Sequence, residues 1–119
     1  MEKWKKIKGY DYEVSTEGRV RNLFGKILNQ KTENGYKRIG LYLNKKQMFL
    51  RVHRLVAAAF IPQIKGKDDV HHINHIRDDN RVENLQWVTN LENQYYRSAN
   101  TLSYRFLLRF YKKHLVVQK

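Results

Sequence analysis

The chain has 119 residues, which is the usual size of a single domain with at most a small appendage. Lys and Arg number 24 against 11 Asp and Glu, so the formal net charge is +13 and a polyanionic partner is expected. The absence of cysteine excludes a disulfide scaffold, a thiolate zinc site and a cysteine nucleophile. No signal-like or membrane-spanning apolar run occurs, so a cytoplasmic protein with no membrane partner is expected.

The excess positive charge is unevenly distributed along the chain. Residues 1–60 carry 14 basic and 5 acidic side chains, residues 61–93 carry 4 and 6, and residues 94–119 carry 6 and none. Two basic arms therefore flank a slightly acidic middle. This pattern favours a protein that contacts phosphates on both sides and holds a cation between them. A generally basic surface would not predict the acidic centre.

The first half of the chain predicts β-structure. From Tyr12 to Val52, short apolar alternations separated by turn residues indicate an antiparallel meander. The clearest strand is 36–43, with predicted turns at 34–35 before it and 44–46 after it. The segments 18–23 and 26–31 predict a further hairpin.

The pattern changes after the meander. Residues 53–60, HRLVAAAF, contain neither Gly nor Pro and predict a short helix that ends before Pro62. Strands are predicted over 69–73 and 85–89, with a long loop between them. Thr89 and Glu92 have the spacing of a capping box, so a helix that carries Asn93 in its first turn is expected to begin there.

A specific motif spans this strand, loop, strand and helix. Residues 70–93, VHHINHIRDDNRVENLQWVTNLEN, resemble the HNH endonuclease motif, the ββα-metal site of phage and intron homing endonucleases. His72, Asn84 and Asn93 stand at the spacing of that motif, and VHRLVAAAFIP is similar to the stretch that precedes it. WKKIKGYDYEVSTEGRVRN, residues 4–22, resembles the nuclease-associated module of these enzymes. The resemblance covers about residues 4–96.

The resemblance implies metal-dependent hydrolysis of DNA phosphodiesters that leaves 5′-phosphate and 3′-hydroxyl ends. His72 would be the general base that activates water, a role that suits a neutral imidazole with a pKa of ~6.5. His71 and Asn93 would hold the metal, while Asn84 would tie the loop together and orient His72. Mg²⁺ is expected. Because the family often has Asp where His71 stands, the softer His ligand also admits Mn²⁺, Ni²⁺ or Zn²⁺.

Basic side chains on the meander and in the loop are expected to contact the phosphates of double-stranded DNA. They are Arg19, Arg21, Lys37, Arg38, Lys45, Lys46, Arg51, Arg54, Arg77 and Arg81. Any one of them alone is more often a solvated surface charge than a DNA contact. As a set they predict strongly salt-dependent binding, since each neutralised phosphate contributes ~0.9 to the log-log slope.

Other interpretations stay open for the same residues. One is a DNA-binding protein with a catalytically inactive HNH-like fold, which the departure at His71 permits. Another is a structural zinc site of His71, His72 and His75, which is weak because neighbours on a strand face opposite ways. The same alternation indicates that His71 and His72 cannot both be core. Asp79 and its neighbour Asp78 are interpreted as turn residues, and His53 and His75 as a structural and a surface residue.

The predicted fold class is α+β. It comprises an N-terminal antiparallel β module over 1–52 that contacts DNA, an HNH core of ββα-metal type over 53–100, and a basic helix over 101–119. The helix is predicted because apolar residues within 104–115 recur at helical spacing beside basic ones. It can pack on the body, lie along DNA or pair with another chain. A monomer that nicks one strand and a homodimer that cuts both therefore stay open, and a phage-encoded protein would act in the host cytoplasm.

Overall fold

The computed structural model describes residues 1–98. Within them, the strands before the first helix are β1 (Trp4–Lys6), β2 (Tyr12–Ser15), β3 (Val20–Asn22), β4 (Lys31–Glu33), β5 (Tyr36–Leu43) and β6 (Lys46–Arg51). They are followed by α1 (Val52–Phe60), β7 (Asp69–His72), a 3₁₀ turn (Val82–Asn84), β8 (Leu85–Val88) and α2 (Asn90–Ser98). The predicted α+β class is confirmed. The predicted C-terminal helix lies outside the described residues.

The strands form three antiparallel sheets, ordered β1-β2-β3, β4-β5-β6 and β7-β8. In the second sheet β5 pairs with β6, with Arg38 opposite Arg51. Asn34, Asn44 and Lys45 take φ values of 53°, 51° and 64° in the turns at the two ends of β5. Left-handed backbone is what two-residue turns between right-twisted strands require. The predicted strand 36–43 and its flanking turns are therefore confirmed.

The predicted hairpin of 18–23 with 26–31 is only partly formed. Ile27 makes an isolated bridge to Arg21, but Lys31 already begins β4, which pairs with β5. In the turn after β3, the Asn22 side-chain oxygen accepts the amides of Phe24 and Lys26 at 2.9 and 3.0 Å. These bonds close the turn locally, and the chain then crosses to the second sheet.

One hydrophobic core joins the three sheets through α1. Val52, Val56 and Ala57 are fully buried on one face of this helix, at the spacing expected of a core-facing stripe. The core also contains Val14 and Val20 of the first sheet, Ile39 and Leu41 of the second, and Val70, Leu85 and Trp87 of the third. The strands of the N-terminal half are thereby packed directly against the helix that supports β7 and β8.

The capping box predicted for α2 is confirmed. The Thr89 amide donates to the Glu92 carboxylate at 2.9 Å, and the Glu92 amide donates to the Thr89 hydroxyl at 3.0 Å. The cap sets the start of the helix and so places Asn93 in its first turn, next to β7. In the described part of the chain, no helix combines the length and the apolar composition needed to cross a bilayer.

Candidate active site

His71 and His72 end β7, and both are buried, with 6% and 5% of their surfaces exposed. The expectation that both could not be core was therefore wrong. They do alternate across the strand: His71 packs on Tyr96 of α2, and His72 lies against His53 of α1. Because α1 and α2 both contact β7, each face of this short strand is covered.

The His72 ring is held by a side chain of the following loop. Its Nε2 lies 2.7 Å from the Oδ1 of Asn80, which is itself only 4% exposed. An amide oxygen can only accept a hydrogen bond, so in the neutral ring Nε2 carries the proton and Nδ1 keeps its lone pair. Burial lowers the pKa of His72, against the opposing effect of the Asn80 hydrogen bond, and the ring is neutral at pH 7.

The His71 ring stacks on Tyr96 at a centroid distance of 4.1 Å, with an interplanar angle of 16°. The His75 ring meets it edge-on at 5.1 Å. Burial, and then the neighbouring His75 and His72, lower the pKa of His71 to about 4. At neutral pH its imidazole is therefore uncharged, and stacking through the ring face leaves the ring nitrogens at its edge available as ligands.

Asn93 lies opposite His71 in the first turn of α2. Its Nδ2 donates to Asp69 Oδ2 at 3.4 Å, which leaves Oδ1 as the atom of this amide that could bind a metal ion. His71 and Asn93 line one open cleft of about 390 Å³. The cleft is completed by Tyr36, Val70, His72, His75, Arg77 and Arg97.

Asn84 lies at the end of the 3₁₀ turn and is 5% exposed. Its Oδ1 accepts the Asn74 amide at 3.0 Å, and its Nδ2 donates to Asn74 Oδ1 at 2.9 Å and to the Asp79 carbonyl at 2.8 Å. These bonds close the loop between β7 and the 3₁₀ turn. The amide in contact with His72 is that of Asn80, so any influence of Asn84 on His72 passes through the loop.

We expect Asn84→Ala to lower the free energy of unfolding by about 2 to 4 kcal/mol, because it removes the three hydrogen bonds by which this buried side chain closes the loop. Urea denaturation at pH 7 measures this difference. Asn29→Ala, at an exposed asparagine, is the matched control and should change stability by no more than about 0.5 kcal/mol. Equal stabilities of the two variants would contradict the loop-closing role.

Asp79 and Arg81 form the polar turn of this loop. Arg81 donates from Nε to Asp79 Oδ1 and from a terminal nitrogen to Oδ2, both at 2.8 Å. These hydrogen bonds hold the pKa of the Asp79 carboxyl far below its usual range. The interpretation of Asp79 as a turn residue is confirmed, and the Arg81 guanidinium is engaged within the loop.

His53 is buried behind His72, with its ring centroid 5.0 Å away, and its Nδ1 has no hydrogen-bond partner among residues 1–98. Burial, followed by the charges of His72, Arg54 and Arg51, lowers the pKa of His53 to about 3. The helix thus places an imidazole that is neutral at pH 7 against the His72 ring.

Stability is expected to fall as the pH falls below about 6.5. The folded pKa values of His53 and His71 lie below the unfolded value of 6.5, so the unfolded chain binds more protons between that pH and about 4. Urea denaturation of the wild type and of His53→Leu at pH 5, 6 and 7 tests the sign. The free energy of unfolding should depend less steeply on pH in His53→Leu, by up to about 1.4 kcal/mol per pH unit. An unchanged slope would show that His53 titrates alike in both states.

Most of the arginines expected to contact DNA are also held by acidic partners. The pairs are Arg19 with Glu2, Arg21 with Glu13, Arg38 and Arg51 with Glu33, Arg54 with Asp69, and Arg81 with Asp79. Lys37 donates to Thr32, and Lys45 and Lys46 lie exposed at the turn between β5 and β6. Arg77 alone of the predicted set lines the cleft, with its guanidinium over the Tyr36 ring.

Comparison with known proteins matches both halves of the chain to family models. Residues 50–95 match the model described as HNH endonuclease, and residues 2–42 match the NUMOD4 motif. A solved structure described as DNA binding and cleavage by the HNH homing endonuclease I-HmuI has a TM-score of 0.70 and 38% identity, covering 93% of this chain and 68% of that one. The chain belongs to the HNH endonuclease family.

Relatives matched by sequence are longer than this HNH protein. DNA endonuclease I-HmuI of Bacillus phage SP01 is 41% identical over an alignment of length 107 that covers 84% of this chain and 62% of that protein. The uncharacterized HNH endonuclease L247 of Acanthamoeba polyphaga mimivirus is 41% identical over an alignment of length 111 that covers 83% of this chain and 27% of that protein. The chain thus spans less than two thirds of the length of these relatives.

The side chains of the HNH motif that line the cleft could supply part of the coordination shell of a divalent ion. His71 offers a neutral imidazole and Asn93 an amide oxygen, and both residues line the cleft. An ion held by these two residues would also bind water and substrate oxygens. Within residues 1–98, no three His, Asp or Glu side chains converge as metal ligands. The three-histidine structural zinc site is therefore not formed by His71, His72 and His75.

Several residues of the HNH site were not singled out from the sequence. Asn80 stands in a polar run that indicates only a turn, and Tyr36 opens a strand far away in the chain. Interpretation of His75 as a surface residue was wrong, since it is half-buried and lines the cleft. Its φ of 63° is the local consequence of the turn in which its amide donates to the His72 carbonyl at 2.9 Å.

Proposed function

We propose that this chain is a metal-dependent endonuclease that hydrolyses phosphodiester bonds of double-stranded DNA. One observation carries the proposal: the buried His72, whose Nε2 is bonded to Asn80, lines the same cleft as the metal-type donors His71 and Asn93. Membership of the HNH family supports it, and the relative I-HmuI is described as binding and cleaving DNA.

His72 acts as the general base of this reaction. Its Nδ1 accepts a proton from a water molecule as the water oxygen bonds to phosphorus and the bond from phosphorus to the 3′ oxygen breaks. The products are a 5′-phosphate and a 3′-hydroxyl, whose oxygen takes its proton from solvent. His71 and Asn93 would hold a divalent ion, which would supply charge stabilisation at the phosphoryl group and the leaving oxygen.

His71 and Asn93 prepare the ligand atoms of this site. The low pKa of His71 keeps its imidazole unprotonated at neutral pH, so metal and proton do not compete there. The Asn93 Nδ2 donates its hydrogen bond to Asp69, so the amide oxygen is the atom left to bind the metal ion. Mg²⁺ is the working ion in the cytoplasm of the host, and the imidazole ligand also accepts Mn²⁺, Ni²⁺ or Zn²⁺.

The DNA backbone is held by cations at the mouth of the cleft and on the sheet of β4, β5 and β6. Arg77 and Arg97 line the cleft, and Lys45 and Lys46 project at the end of the sheet. The arginines already paired to carboxylates contribute less, because their charge is partly compensated within the protein. Binding is therefore salt-dependent, with each phosphate contact contributing ~0.9 to the slope.

Incubation of supercoiled plasmid with the purified chain tests the proposal. Nicked or linear DNA is expected with Mg²⁺ or Mn²⁺, and none is expected after EDTA treatment. Nicked product indicates a single centre acting alone, whereas immediate linear product indicates two paired centres. Salt-sensitive binding of the plasmid without cleavage at any of these ions would favour instead a DNA-binding protein with an inactive HNH fold.

A further inference from the structure

Asn80 links His72 to a distant turn of the N-terminal half. Its side-chain oxygen bonds His72, while its backbone packs against Gly18 in the turn between β2 and β3. A Cβ atom at Gly18 would lie 2.8 Å from the Asn80 Cβ and 3.1 Å from its carbonyl oxygen. Neither of those atoms can swing away, so the contact fixes where the Asn80 backbone lies.

The turn that carries Gly18 is itself well held. The buried Ser15 hydroxyl accepts the amides of Glu17 and Arg19, each at 3.1 Å, and the Gly18 carbonyl accepts the Gln30 side chain at 2.8 Å. Gly18 has a φ of 81°, a conformation that a residue with a Cβ atom adopts only with strain. The turn therefore places the Gly18 backbone, held in position by these hydrogen bonds, directly against the loop.

This turn is also joined, backbone to backbone, to the segment that carries Asn80 and begins the 3₁₀ turn. The Val82 amide donates to the Thr16 carbonyl at 2.8 Å, two residues beyond Asn80. On the other side of Asn80, the Asp79 carbonyl accepts the Asn84 side chain. Asn80 is thus pinned from the N-terminal turn and from its own loop, which keeps its short side chain within bonding distance of His72.

We propose that the turn between β2 and β3, within the stretch matched to the NUMOD4 motif, is part of the catalytic scaffold. Gly18 positions Asn80, and Asn80 holds the His72 ring with its proton on Nε2 and its lone pair on Nδ1. Asn80 is a positioning residue that acts through His72. The effect on catalysis rests on the proposed role of His72 as the base. The position of the ring proton depends only on the hydrogen bond to Asn80 and can be tested independently of that role.

Three single variants of the full chain test this inference. Asn80→Ala removes the hydrogen bond, and Gly18→Ala displaces the Asn80 backbone. Gly9→Ala is the matched control, because Gly9 has a φ of 85° in the same half of the chain but nothing within 4 Å of a Cβ atom there. Gln30→Ala, which frees the Gly18 carbonyl, replaces Gly18→Ala if that variant does not fold.

Nitrogen-15 NMR of the histidine rings at pH 7 reports which His72 nitrogen carries the proton, with His72→Gln identifying the signals. The wild type and Gly9→Ala are expected to show the Nε2-protonated form. Asn80→Ala and the folded turn variant are expected to show a mixture of the two forms. Unchanged His72 signals in Asn80→Ala would overturn the positioning role of Asn80, and unchanged signals in the turn variant would overturn that of the turn.

Plasmid cleavage under single-turnover conditions gives the second readout. The rate constant should fall about 10- to 100-fold in Asn80→Ala and less in the turn variant, because the base is present but misoriented. DNA affinity should stay within about 3-fold, a change below 1 kcal/mol. If the NMR signals change but the rate does not, the positioning inference stands and the assignment of His72 as the base fails.

Discussion

His72→Ala is expected to reduce plasmid cleavage by about 10²- to 10⁴-fold while DNA binding persists. The reason is that the alanine variant has no group at this position to accept the proton of the attacking water. His72 is 5% exposed and is not among the cations proposed to hold the DNA backbone, so its loss leaves those cations in place. Single-turnover cleavage with saturating metal, beside a titration of DNA binding at fixed salt, measures both quantities.

The matched comparison for His72→Ala is the same variant with free imidazole added. A small base that enters the space left by the ring should restore part of the rate, and it should do so only in this variant. Circular dichroism on both proteins shows whether the fold is intact. Cleavage at the wild-type rate in a folded His72→Ala protein would remove His72 from the mechanism and leave the base to be found elsewhere in the cleft.

Asn93→Ala is expected to lower cleavage at limiting Mg²⁺ by at least about 100-fold, through loss of a metal ligand. Because His71 remains, the affinity for the ion falls without being abolished, and raising the Mn²⁺ concentration should recover part of the activity. The decisive measurement is cleavage as a function of metal concentration. The half-saturating concentration should rise in the variant, with a smaller change in the maximal rate.

Asn90→Ala provides the control for Asn93→Ala. It makes the same chemical change in the same turn of α2, at an exposed residue that does not line the cleft. Its metal dependence should match that of the wild type. If both variants lose activity equally, the cause is the helix rather than a ligand. If Asn93→Ala keeps the wild-type metal dependence, the assignment of Asn93 as a ligand is removed.

Local patterns in the chain predict its elements well. The reciprocal hydrogen bonds of Thr89 and Glu92 form between residues three apart, and the left-handed turns at Asn34 and Asn44 depend on adjacent residues. Such interactions are specified within a few positions of the chain, so spacing alone is enough to predict them. The family motif likewise combines residue types at fixed spacings, so it can be recognised without any knowledge of the fold.

The contacts around His72 could not be predicted in this way. Asn80 follows His72 by eight residues in an irregular loop, and Gly18 lies 62 residues before Asn80, in the turn between β2 and β3. No periodicity governs either separation. The burial of both His71 and His72 is likewise invisible locally, because it requires α1 and α2 to cover opposite faces of one four-residue strand.

The charge of the protein is likewise predicted in part by the sequence and decided in part by the fold. Composition alone establishes a strongly basic chain and hence an expected polyanionic partner. Which cations stay available for that partner depends on the pairing of arginines with acidic residues from other strands, such as Arg51 with Glu33 across the second sheet. Net charge is a sum over residues and needs no coordinates, whereas ion pairs and ring contacts fall off within a few ångströms and exist only once the chain has folded.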